Sequence, residues 1–502
     1  MDVGSNIFVW IYFVIFVIVL LWAGKRTSKQ IKDEDDYATA RSSYNWVVIG
    51  LVIPATFASG ATFLGSGGMA YGYGFPAFWY LLFYPMGGYL GMTVLGKLGT
   101  GINKAGARTI PEFLGIRYNS DGLRVVSAVI SFLLLAYIGG QVVAGGTIFE
   151  VLFGVEYKYG IWITTAIILS YIVVGGARAN IVTAMIQSAI MVVVALMCVY
   201  VFFTAPGLEG GVGALNDALV AQNPELSAGS VFNQANKQLA TGFAVAMTFF
   251  AHVPYSLLPH FGMKWAALND NRDMPKALVL SAVVGMLFVI GAPLPALIAR
   301  AVMPGLARSD MALPAIFSTY LPDYVSAFLI IGIYAAIMST ASGLFVSNAQ
   351  AIANDIYRCS LAKKWAHSEE KIEHNVKLIS RIATIVIAVL GTILVINPPP
   401  YLTLFLWLGV GGVLSTSSGP LLLGLYWKET TKTGVWISTI GCLIIYIFLT
   451  VILKWEGMTA TGLMFIVSVT STYVFSKFTK DRLSDEYLDE IGLFKVKNIK
   501  AK

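Results

Sequence analysis

The sequence predicts an all-α polytopic membrane protein with about thirteen transmembrane helices. Three observations predict this fold class: the composition, the spacing of the apolar runs and the distribution of positive charge. Of the 502 residues, 57% are hydrophobic and only 12% are charged, whereas soluble domains carry about 25% charged residues. A soluble enzyme of this length could not cover its surface with polar groups, and disordered chains are rich in charge. The composition therefore excludes both classes.

Apolar runs long enough for a helical span of about 20 residues follow one another along the whole chain. We number them as segments one to thirteen in chain order. They lie at 7–23, 46–73, 76–96, 125–152, 159–175, 181–204, 238–260, 277–303, 322–352, 380–396, 400–427, 433–453 and 459–476. Turn residues separate them, as in Asn397-Pro398-Pro399-Pro400 before segment eleven.

Positive charge is concentrated in alternate loops, and loops rich in Lys and Arg stay in the cytoplasm. Of the 34 Lys and Arg residues, all but five lie in the inner loops 24–45, 97–124, 175–180, 262–276, 357–382, 428–434 and 477–502. The five outer residues are Lys158, Lys237, Arg300, Arg308 and Lys454. This bias predicts a plasma (inner) membrane protein with its N-terminus outside and its C-terminus in the cytoplasm. No Lys or Arg is expected inside a span.

The same distribution explains the net charge of +7 as a topology signal with some attraction to anionic lipid, so nucleic acid is not an expected partner. The expected partners are the lipid bilayer and a small-molecule substrate. No enzyme is predicted, since no carboxylate cluster or nucleophile–base pair lies within a span. The sequence contains no P-loop, so energy for transport is expected from an ion gradient.

Segments two and seven contain residues that interrupt helices. Segment two mixes Pro54, small residues, hydroxyls and four glycines between positions 60 and 68. Segment seven carries Pro254 and Pro259 together with His252, Tyr255 and His260. Irregular backbone is tolerated at membrane depth where it lines a cavity, and such broken helices hold substrates and ions in transporters. The alternative for segment two is close helix packing through small residues.

Single polar residues in other segments allow two interpretations each. Ser339 and Thr340 lie deep in segment nine, where their hydroxyls either bind a small cation or bond back to their own helix. Tyr137 and Gln141 lie in segment four and call for a polar partner. His252 lies near mid-span, so it is either a functional ionisable group or a neutral histidine bonded to a neighbouring helix.

The chain resembles the sodium:solute symporter family over nearly its whole length. The resemblance depends on several motifs that occur in the family's order. They are Ala55-Thr56-x-x-Ser59-Gly60, Gly65-x-Gly67-Gly68-x-Ala70-Tyr71-x-Tyr73-Gly74, Ile148-Phe149-Glu150-x-x-Phe153-Gly154, Gly175-Gly176-x-Arg178-Ala179 with Gln187, Pro259-His260, Ala335-Ala336-Ile337-Met338-Ser339-Thr340, Asn354-Asp355-Ile356-Tyr357 and Gly424-Leu425-Tyr426-Trp427.

The resemblance implies a leucine-transporter-type fold, a five-plus-five inverted repeat with one extra N-terminal and two extra C-terminal helices. The first helix of each repeat, segment two or seven, is then expected to break at the midplane. The expected divisions are an N-terminal helix and loop, the first repeat, an extracellular loop, the second repeat, two C-terminal helices and a cytoplasmic tail. They cover 1–45, 46–206, 207–237, 238–428, 429–476 and 477–502.

The resemblance also implies site residues. Sodium would bind the backbone carbonyls of Ala55, Ala58 and Ala336 and the hydroxyls of Ser339 and Thr340. The solute would lie between segments two, four, seven and eleven. The residues expected to contact it are Thr56, Phe57, Ser59, Tyr137, Gln141 and Tyr255.

One departure from the family pattern affects the expected coupling ion. Many members carry an aspartate where this chain has Ala184, which favours one sodium ion over two. It also leaves room for a proton, for which His252 is the candidate carrier. The leading expectation is sodium-coupled symport of a small organic solute, with Na⁺ as the coupling ion. Proton-coupled symport on the same fold and a membrane solute sensor are the alternatives.

The solute itself is indicated only by resemblance. Thr56-x-x-Ser59, Pro398-Pro399 and Gly424-Leu425-Tyr426-Trp427 are most similar to pantothenate and small monocarboxylate carriers. A carboxylate would suit the positive ends of broken half-helices.

Overall fold

The computed structural model describes residues 7–205, 210–362, 365, 368–397 and 402–494. Helices account for nearly all regular structure in these ranges, which contain no strand and only one isolated bridge, between Tyr44 and Leu268. A turn was predicted at the prolines at 398–400, and two of them contribute to the resemblance to solute carriers. These prolines lie outside the described residues.

The helices follow the predicted apolar runs, with short helices in the loops. The first part of the chain forms α1 (Ile7–Ser28), α2 (Glu34–Thr39), α3 (Trp46–Phe57), α4 (Ser66–Tyr73), α5 (Ala77–Leu95), α6 (Lys97–Lys104), α7 (Ile110–Arg117), α8 (Asp121–Ser131), α9 (Leu135–Phe153) and α10 (Tyr157–Thr204). The remainder forms α11 (Gly211–Gln222), α12 (Gly242–His252), α13 (Pro259–Ala266), α14 (Met274–Gly291), α15 (Leu294–Val302), α16 (Ala312–Tyr320), α17 (Asp323–Gln350), α18 (Glu369–Ile393), α19 (Leu402–Tyr426), α20 (Lys432–Ile447), α21 (Gly457–Phe478) and α22 (Asp485–Glu490).

The number of membrane spans follows from helix length and hydropathy. Nine helices of the described chain are long and apolar enough to cross a membrane, or eleven when two bent pairs each count as one span. One of the nine, α10, has 48 residues and is interrupted at Gly176, whose φ of 51° is the left-handed conformation that favours glycine. The all-helical polytopic class is confirmed, and the count of thirteen stays a prediction.

The two predicted helix breaks are both present. Helix α3 ends at Phe57, and the chain continues through a π-helical turn, Ala61–Gly65, into α4 at an angle of 57°. Helix α12 continues through a 3₁₀ turn, Val253–Leu257, and meets α13 at 50°. The proline at the start of α13 follows Leu258, whose ψ of 137° is extended, as expected for a residue before proline. Both helices therefore break within the segments in which the sequence predicted a break.

Helix α17 occupies the centre of the molecule. Of its most apolar stretch 94% is buried, whereas the other candidate spans bury 33–78% and leave the rest for lipid. It packs against α1, α3, α9, α10 and α13. Because Ser339 and Thr340 lie on this helix, their surroundings are protein on every side.

The inner-loop assignment of Lys264 is wrong. Its predicted position was the inner loop 262–276, and no basic residue was expected within a span. Instead Pro259 restarts a helix that runs to Ala266, and Lys264 within it is only 3% exposed. A proline at the first helical position is compatible with continued helix, because its missing N–H would have no partner there anyway.

Candidate functional site

The hydroxyls of α17 meet backbone carbonyls of the first broken helix. The Ser339 hydroxyl donates to the carbonyl of Ala55 at 2.7 Å and to that of Ala336 at 2.9 Å. The Thr340 hydroxyl donates to the carbonyl of Thr56 at 3.1 Å and reaches Ala336 at 3.4 Å. Four of the five predicted sodium residues are therefore brought together, along with the carbonyl of Thr56, which the sequence did not single out.

The fifth predicted residue, Ala58, closes α3 with a ψ of 93°. This torsion takes its carbonyl out of the helical hydrogen-bond pattern. Every atom of the group is a neutral oxygen, and hard cations prefer oxygen ligands. The residues present fit a sodium ion, because the carbonyls that now accept from hydroxyls could face a cation instead. Their assignment as sodium ligands stays a prediction.

Aromatic side chains join the two broken helices. The ring of Phe57 stacks on Tyr84 with centroids 4.5 Å apart and meets the edge of Tyr255 at 5.4 Å. The hydroxyl of Tyr255 in turn donates to that of Tyr137 at 3.0 Å. These contacts connect α3, α5, α9 and the turn after α12 in one buried layer.

A cavity of about 940 Å³ lies above this layer, on the predicted outer side. Gln141 lines it, and its side-chain oxygen accepts a hydrogen bond from the Gly60 amide at 3.3 Å, directly at the first helix break. The other predicted solute residues are buried beneath the cavity and do not line it: Thr56, Phe57, Ser59, Tyr137 and Tyr255. Their contact with a solute stays a prediction.

None of the aromatic residues that line the large cavity was predicted to contact the solute, and Tyr73 and Trp455 are among them. Tyr80 and Trp407 both line the large cavity. Segment three was predicted only as an apolar span, and its run Phe78-Trp79-Tyr80 was not singled out. Aromatic rings are equally suited to lipid, core and solute, so neither Tyr80 nor Trp407 was distinguished by its residue type.

The mouth of the large cavity, defined by Lys237, Arg308, Asp310, Lys454 and Glu456, contains three of the five outer basic residues. Arg308 pairs with Asp310 at 2.7 Å, and Glu456 accepts the amides that begin α21. Lys237 and Lys454 have no carboxylate within 4 Å among the residues that the structure describes. The mouth therefore carries a positive excess.

His252, the candidate proton carrier, is packed in protein. It is 1% exposed, its Nδ1 lies 2.6 Å from the Thr248 carbonyl, and its ring lies 4.4 Å from that of Tyr84. It does not line the large cavity. The hydrogen-bond contact lies within α12 itself and not on a neighbouring helix, and a proton-carrying role for His252 stays a prediction.

The opposite, predicted inner face is closed by ion pairs. We call Asp35, Arg41, Arg108, Glu112, Arg358 and Glu373 the inner network. Its pairs include Arg108–Glu373 at 3.1 Å, Arg358–Glu112 at 3.1 Å and Arg41–Asp35 at 2.9 Å. The first two pairs connect helices or loops far apart in sequence, so opening this face requires them to separate.

Glu34 lies beside the inner network on α2. Burial raises its pKa to about 7, against the opposing effect of the nearby Arg108 guanidinium. One carboxylate oxygen accepts from the Ser380 hydroxyl at 3.3 Å. Glu34 is therefore an acid of the inner face whose protonation changes near neutral pH.

Comparison with known proteins agrees with this architecture. A model described as the sodium:solute symporter family matches residues 37–441. The osmoregulated proline transporter of Bacillus subtilis is 29% identical over 485 residues, which are 94% of each chain. The sodium/pantothenate symporter of Haemophilus influenzae is 26% identical over 439 residues, covering 85% of this chain and 86% of the relative. A sodium/proline symporter of Staphylococcus aureus is 26% identical and covers 95% and 93%.

Two solved structures share the fold. A Na⁺-coupled sialic acid symporter in a substrate-bound outward-open state matches with a TM-score of 0.75 and 17% identity, covering 95% of this chain and 99% of that one. A nucleobase-cation-symport-1 family transporter matches with a TM-score of 0.53 and 14% identity, covering 91% and 98%.

Proposed function

The chain belongs to the sodium:solute symporter family, and from this premise we propose that it takes up a small carboxylate-bearing solute together with sodium. It is a multi-pass membrane transporter and not an enzyme, with Na⁺ as its coupling ion. The observation that carries the proposed ion site is the contact of the Ser339 and Thr340 hydroxyls with carbonyls of the first broken helix, at 2.7 and 3.1 Å.

The proposed solute class has two supports. The proline and pantothenate of the relatives' names both carry a carboxylate, and the mouth of the large cavity has a positive excess that would attract an anion. Gly60 and Ala61, at the start of the half-helix after the first break, also line the cavity. The positive end of that half-helix would favour a carboxylate.

The proposed transport cycle follows from the open large cavity on one side and the inner network that closes the other side. The large cavity gives a solute access from the side of Lys237 and Lys454, while the inner network closes the other side. Sodium bound between α17 and α3 would hold these helices in that outward-facing arrangement, and solute would bind at Gln141, Tyr80 and Trp407. Since coupling is reciprocal, each ligand raises the affinity for the other. In this cycle the N-terminus is outside and the C-terminus is cytoplasmic.

The test is uptake into proteoliposomes that contain the purified transporter. The labelled solutes are proline, pantothenate and small monocarboxylates, and inward Na⁺ and H⁺ gradients are imposed separately. We expect a sodium gradient alone to drive accumulation of at least one carboxylate-bearing solute. Accumulation driven only by a proton gradient would contradict the proposed coupling, and failure of a sodium gradient to drive uptake of any of these carboxylate-bearing solutes would contradict the proposed solute class.

A charge reversal at the mouth sharpens the test of the solute. Lys454→Glu should raise the KM for an anionic solute about twofold to fivefold at low salt, with a smaller change at high salt because screening weakens exposed charges. Lys158→Glu is the matched control, because this exposed outer lysine does not line the cavity. Equal effects of the two variants would contradict a steering role for the mouth.

A further inference from the structure

A cluster of basic side chains lies where α1, α2 and α18 meet the predicted cytoplasmic surface. We call it the basic rim, and its members are Lys25, Arg26, Lys29, Lys32, Lys377 and Arg381. The first five are exposed and the last is half-buried. None of the six has a carboxylate within 4 Å in the part of the chain that the structure describes, whereas the arginines of the inner network are all paired. The charge of the basic rim is therefore not used within the protein.

Contacts with α10 bring the members of the basic rim to the same height. Gly24 of α1 packs against Tyr171 of α10, whose Cβ would lie 2.6 Å from a Cβ added at the glycine. The Tyr37 hydroxyl of α2 donates to the carbonyl of Val173 at 3.0 Å. The guanidinium carbon of Arg381 lies 6.0 Å from the centre of the Tyr37 ring. Because Tyr171 and Val173 belong to one turn of α10, the end of α1, helix α2 and Arg381 of α18 surround that turn.

The acidic residues of α2 do not neutralise the basic rim. Asp35 and Asp36 pair with arginines outside the rim, at 2.9 and 2.7 Å, and Glu34 is buried. The exposed Asp33 caps the helix, where its carboxylate accepts the amide of Asp36 at 2.8 Å. The exposed acids of α18 lie in its first turn, about two turns before Lys377. The basic rim therefore keeps a positive excess.

Apolar side chains exposed to lipid lie directly beside the basic rim. Trp22 precedes Arg26 by one turn of α1, and the guanidinium carbon of Arg26 lies 5.2 Å from the centre of the tryptophan ring. Leu378 of α18 and Val174 of α10 are each roughly half exposed, as is Trp22. Exposed tryptophan is typical of the boundary between lipid and water. A molecule bound here would contact cations at one end and apolar surface at the other.

We propose that the basic rim binds the headgroups of anionic phospholipids in the inner leaflet and so ties α1, α2 and α18 together beside the inner network. The guanidinium fork of arginine matches phosphate oxygens, and lysine adds positive charge. The Nε of Arg381 has no hydrogen-bond partner among the described residues and is available to a phosphate oxygen. A zwitterionic lipid carries no net charge, so it gains less from the rim. The inference goes beyond the proposed transport activity and requires only that the rim faces a bilayer.

The primary test measures lipid binding to the full-length protein in detergent by native mass spectrometry. The probes are palmitoyl-oleoyl phosphatidylglycerol and the matching phosphatidylcholine. Each Lys or Arg near an anionic headgroup contributes about fivefold to affinity. We expect the wild type to prefer phosphatidylglycerol at least tenfold. The rim variant, Arg26→Gln/Lys29→Gln/Arg381→Gln, should bind this lipid at least tenfold more weakly than the wild type, with phosphatidylcholine binding unchanged.

The matched control removes three charges elsewhere on the predicted inner side. Lys104, Lys477 and Lys480 are exposed and lie outside the basic rim. The control variant, Lys104→Gln/Lys477→Gln/Lys480→Gln, should keep its affinity for phosphatidylglycerol within about threefold of the wild type. Equal losses in the two triple variants would overturn the proposal, because the attraction would then be general to the positive face.

Three further results would overturn the proposal. The first is equal affinity of the wild type for the two lipids. The second is displacement of bound phosphatidylglycerol by millimolar inorganic phosphate, which would make the rim a site for soluble anions. If the rim variant does not fold, Lys29→Gln/Lys377→Gln replaces it, because both positions are exposed. We expect at least a fivefold loss of affinity in this double variant, and an unchanged affinity is the third contradicting result.

Thermal unfolding tests whether the bound lipid ties the three helices together. A ligand that binds only the folded protein raises its unfolding midpoint. Phosphatidylglycerol should therefore raise the midpoint of the wild type and of the control variant more than phosphatidylcholine does, and this difference should disappear in the rim variant. A difference of the same size in the rim variant would contradict the proposal. Neither measurement involves sodium or solute, so its outcome is independent of the proposed function.

Discussion

The two broken helices bend by similar angles, 57° and 50°, but they contribute different chemistry. The first break contains no charged side chain and presents backbone carbonyls of Ala55 and Thr56 to the hydroxyls of α17. The second break is made by prolines and is followed by a half-helix that carries His260 and Lys264. One break thus supplies neutral oxygen atoms suited to a cation, and the other brings a buried lysine amine against Thr56.

This difference shows that a helix break has at least two uses in a membrane. A break exposes carbonyls, which lower the energy of a nearby positive charge. It also allows a new helix to start at depth, which brings a side chain such as Lys264 to a position that a straight helix would place elsewhere. The contact of Lys264 with Thr56 joins both uses at one residue.

The largest effect is expected at the first break. Ser339→Ala and Thr340→Ala each remove one oxygen that is expected to hold sodium, and a polar contact to a charged group is worth about 1.5–3 kcal/mol. Each variant should therefore raise the sodium concentration for half-maximal uptake roughly 10- to 100-fold. The double variant should lose saturable activation by sodium. The measurement is solute uptake as a function of sodium concentration.

Ser347→Ala provides the matched control on the same helix. Its hydroxyl bonds back to the carbonyl of Leu344 at 3.2 Å, which is the alternative that the sequence left open for Ser339 and Thr340. We expect its sodium dependence to match the wild type. If all three alanine variants show the same sodium dependence, the hydroxyls of Ser339 and Thr340 do not bind sodium. The first break would then not differ from the second by supplying a cation site.

The next effect tests how the second break is held. Gly91 of α5 packs against its 3₁₀ turn so closely that an added Cβ would lie 1.8 Å from the carbonyl oxygen of Val253. Gly91→Ala must displace backbone, and such overpacking costs about 1–3 kcal/mol. We expect a lower thermal unfolding midpoint and a smaller yield of monodisperse protein, while the first break keeps its sodium ligands.

Gly441→Ala is the control for this prediction, because no atom lies within 4 Å of a Cβ added at Gly441. Alanine is the better helix former at an open helical position, so this variant should be neutral or slightly stabilising. A Gly91→Ala protein with the stability of the Gly441→Ala protein would show that the second break tolerates displacement. The close packing of α5 would then not determine the conformation of the second break.

Residue type made the positions of both breaks predictable, because proline and clustered glycine disfavour continued helix, although Pro85 and Pro420 lie within continuous helices. The contact of Ser339 with Ala55 was indicated only by family resemblance, since the two residues lie 284 positions apart. Lys264 was misplaced because a charge near the end of an apolar run is usually interfacial. The available signal was the four-residue spacing of His260 and Lys264 after Pro259, which places both on one face of a restarted helix.

Residues that line the large cavity were predicted least well. Gln141 was identified because an amide at mid-depth needs a partner, and it reaches Gly60. Tyr80 and Trp407 gave no such signal, because aromatic rings are equally suited to lipid, core and solute. Which face of a span meets the cavity depends on the packing of distant helices, and a single sequence does not specify that packing.

The smallest expected effect lies where the half-helix after the second break ends. The carbonyls of Ala266 and Ala267 accept from the amides of Ser42 and Tyr44, in the loop that follows α2. Glu34 begins α2, and burial raises its pKa from 4.5 to about 7. Between these two pH values the folded protein holds a proton that the unfolded chain releases, so stability falls as pH rises through this window and the loss is complete above about pH 7.

Glu34→Gln cannot titrate and should remove this part of the pH dependence. The measurement is the thermal unfolding midpoint of the wild type and the variant between pH 5 and pH 8. Glu370→Gln, an exposed residue of α18, should retain the wild-type slope. If Glu34→Gln also retains that slope, the proton responsible lies elsewhere. If Glu34→Gln loses that slope, the end of the half-helix after the second break is held by a segment whose own stability depends on pH. The first break, built from neutral oxygens, has no titrating group of its own.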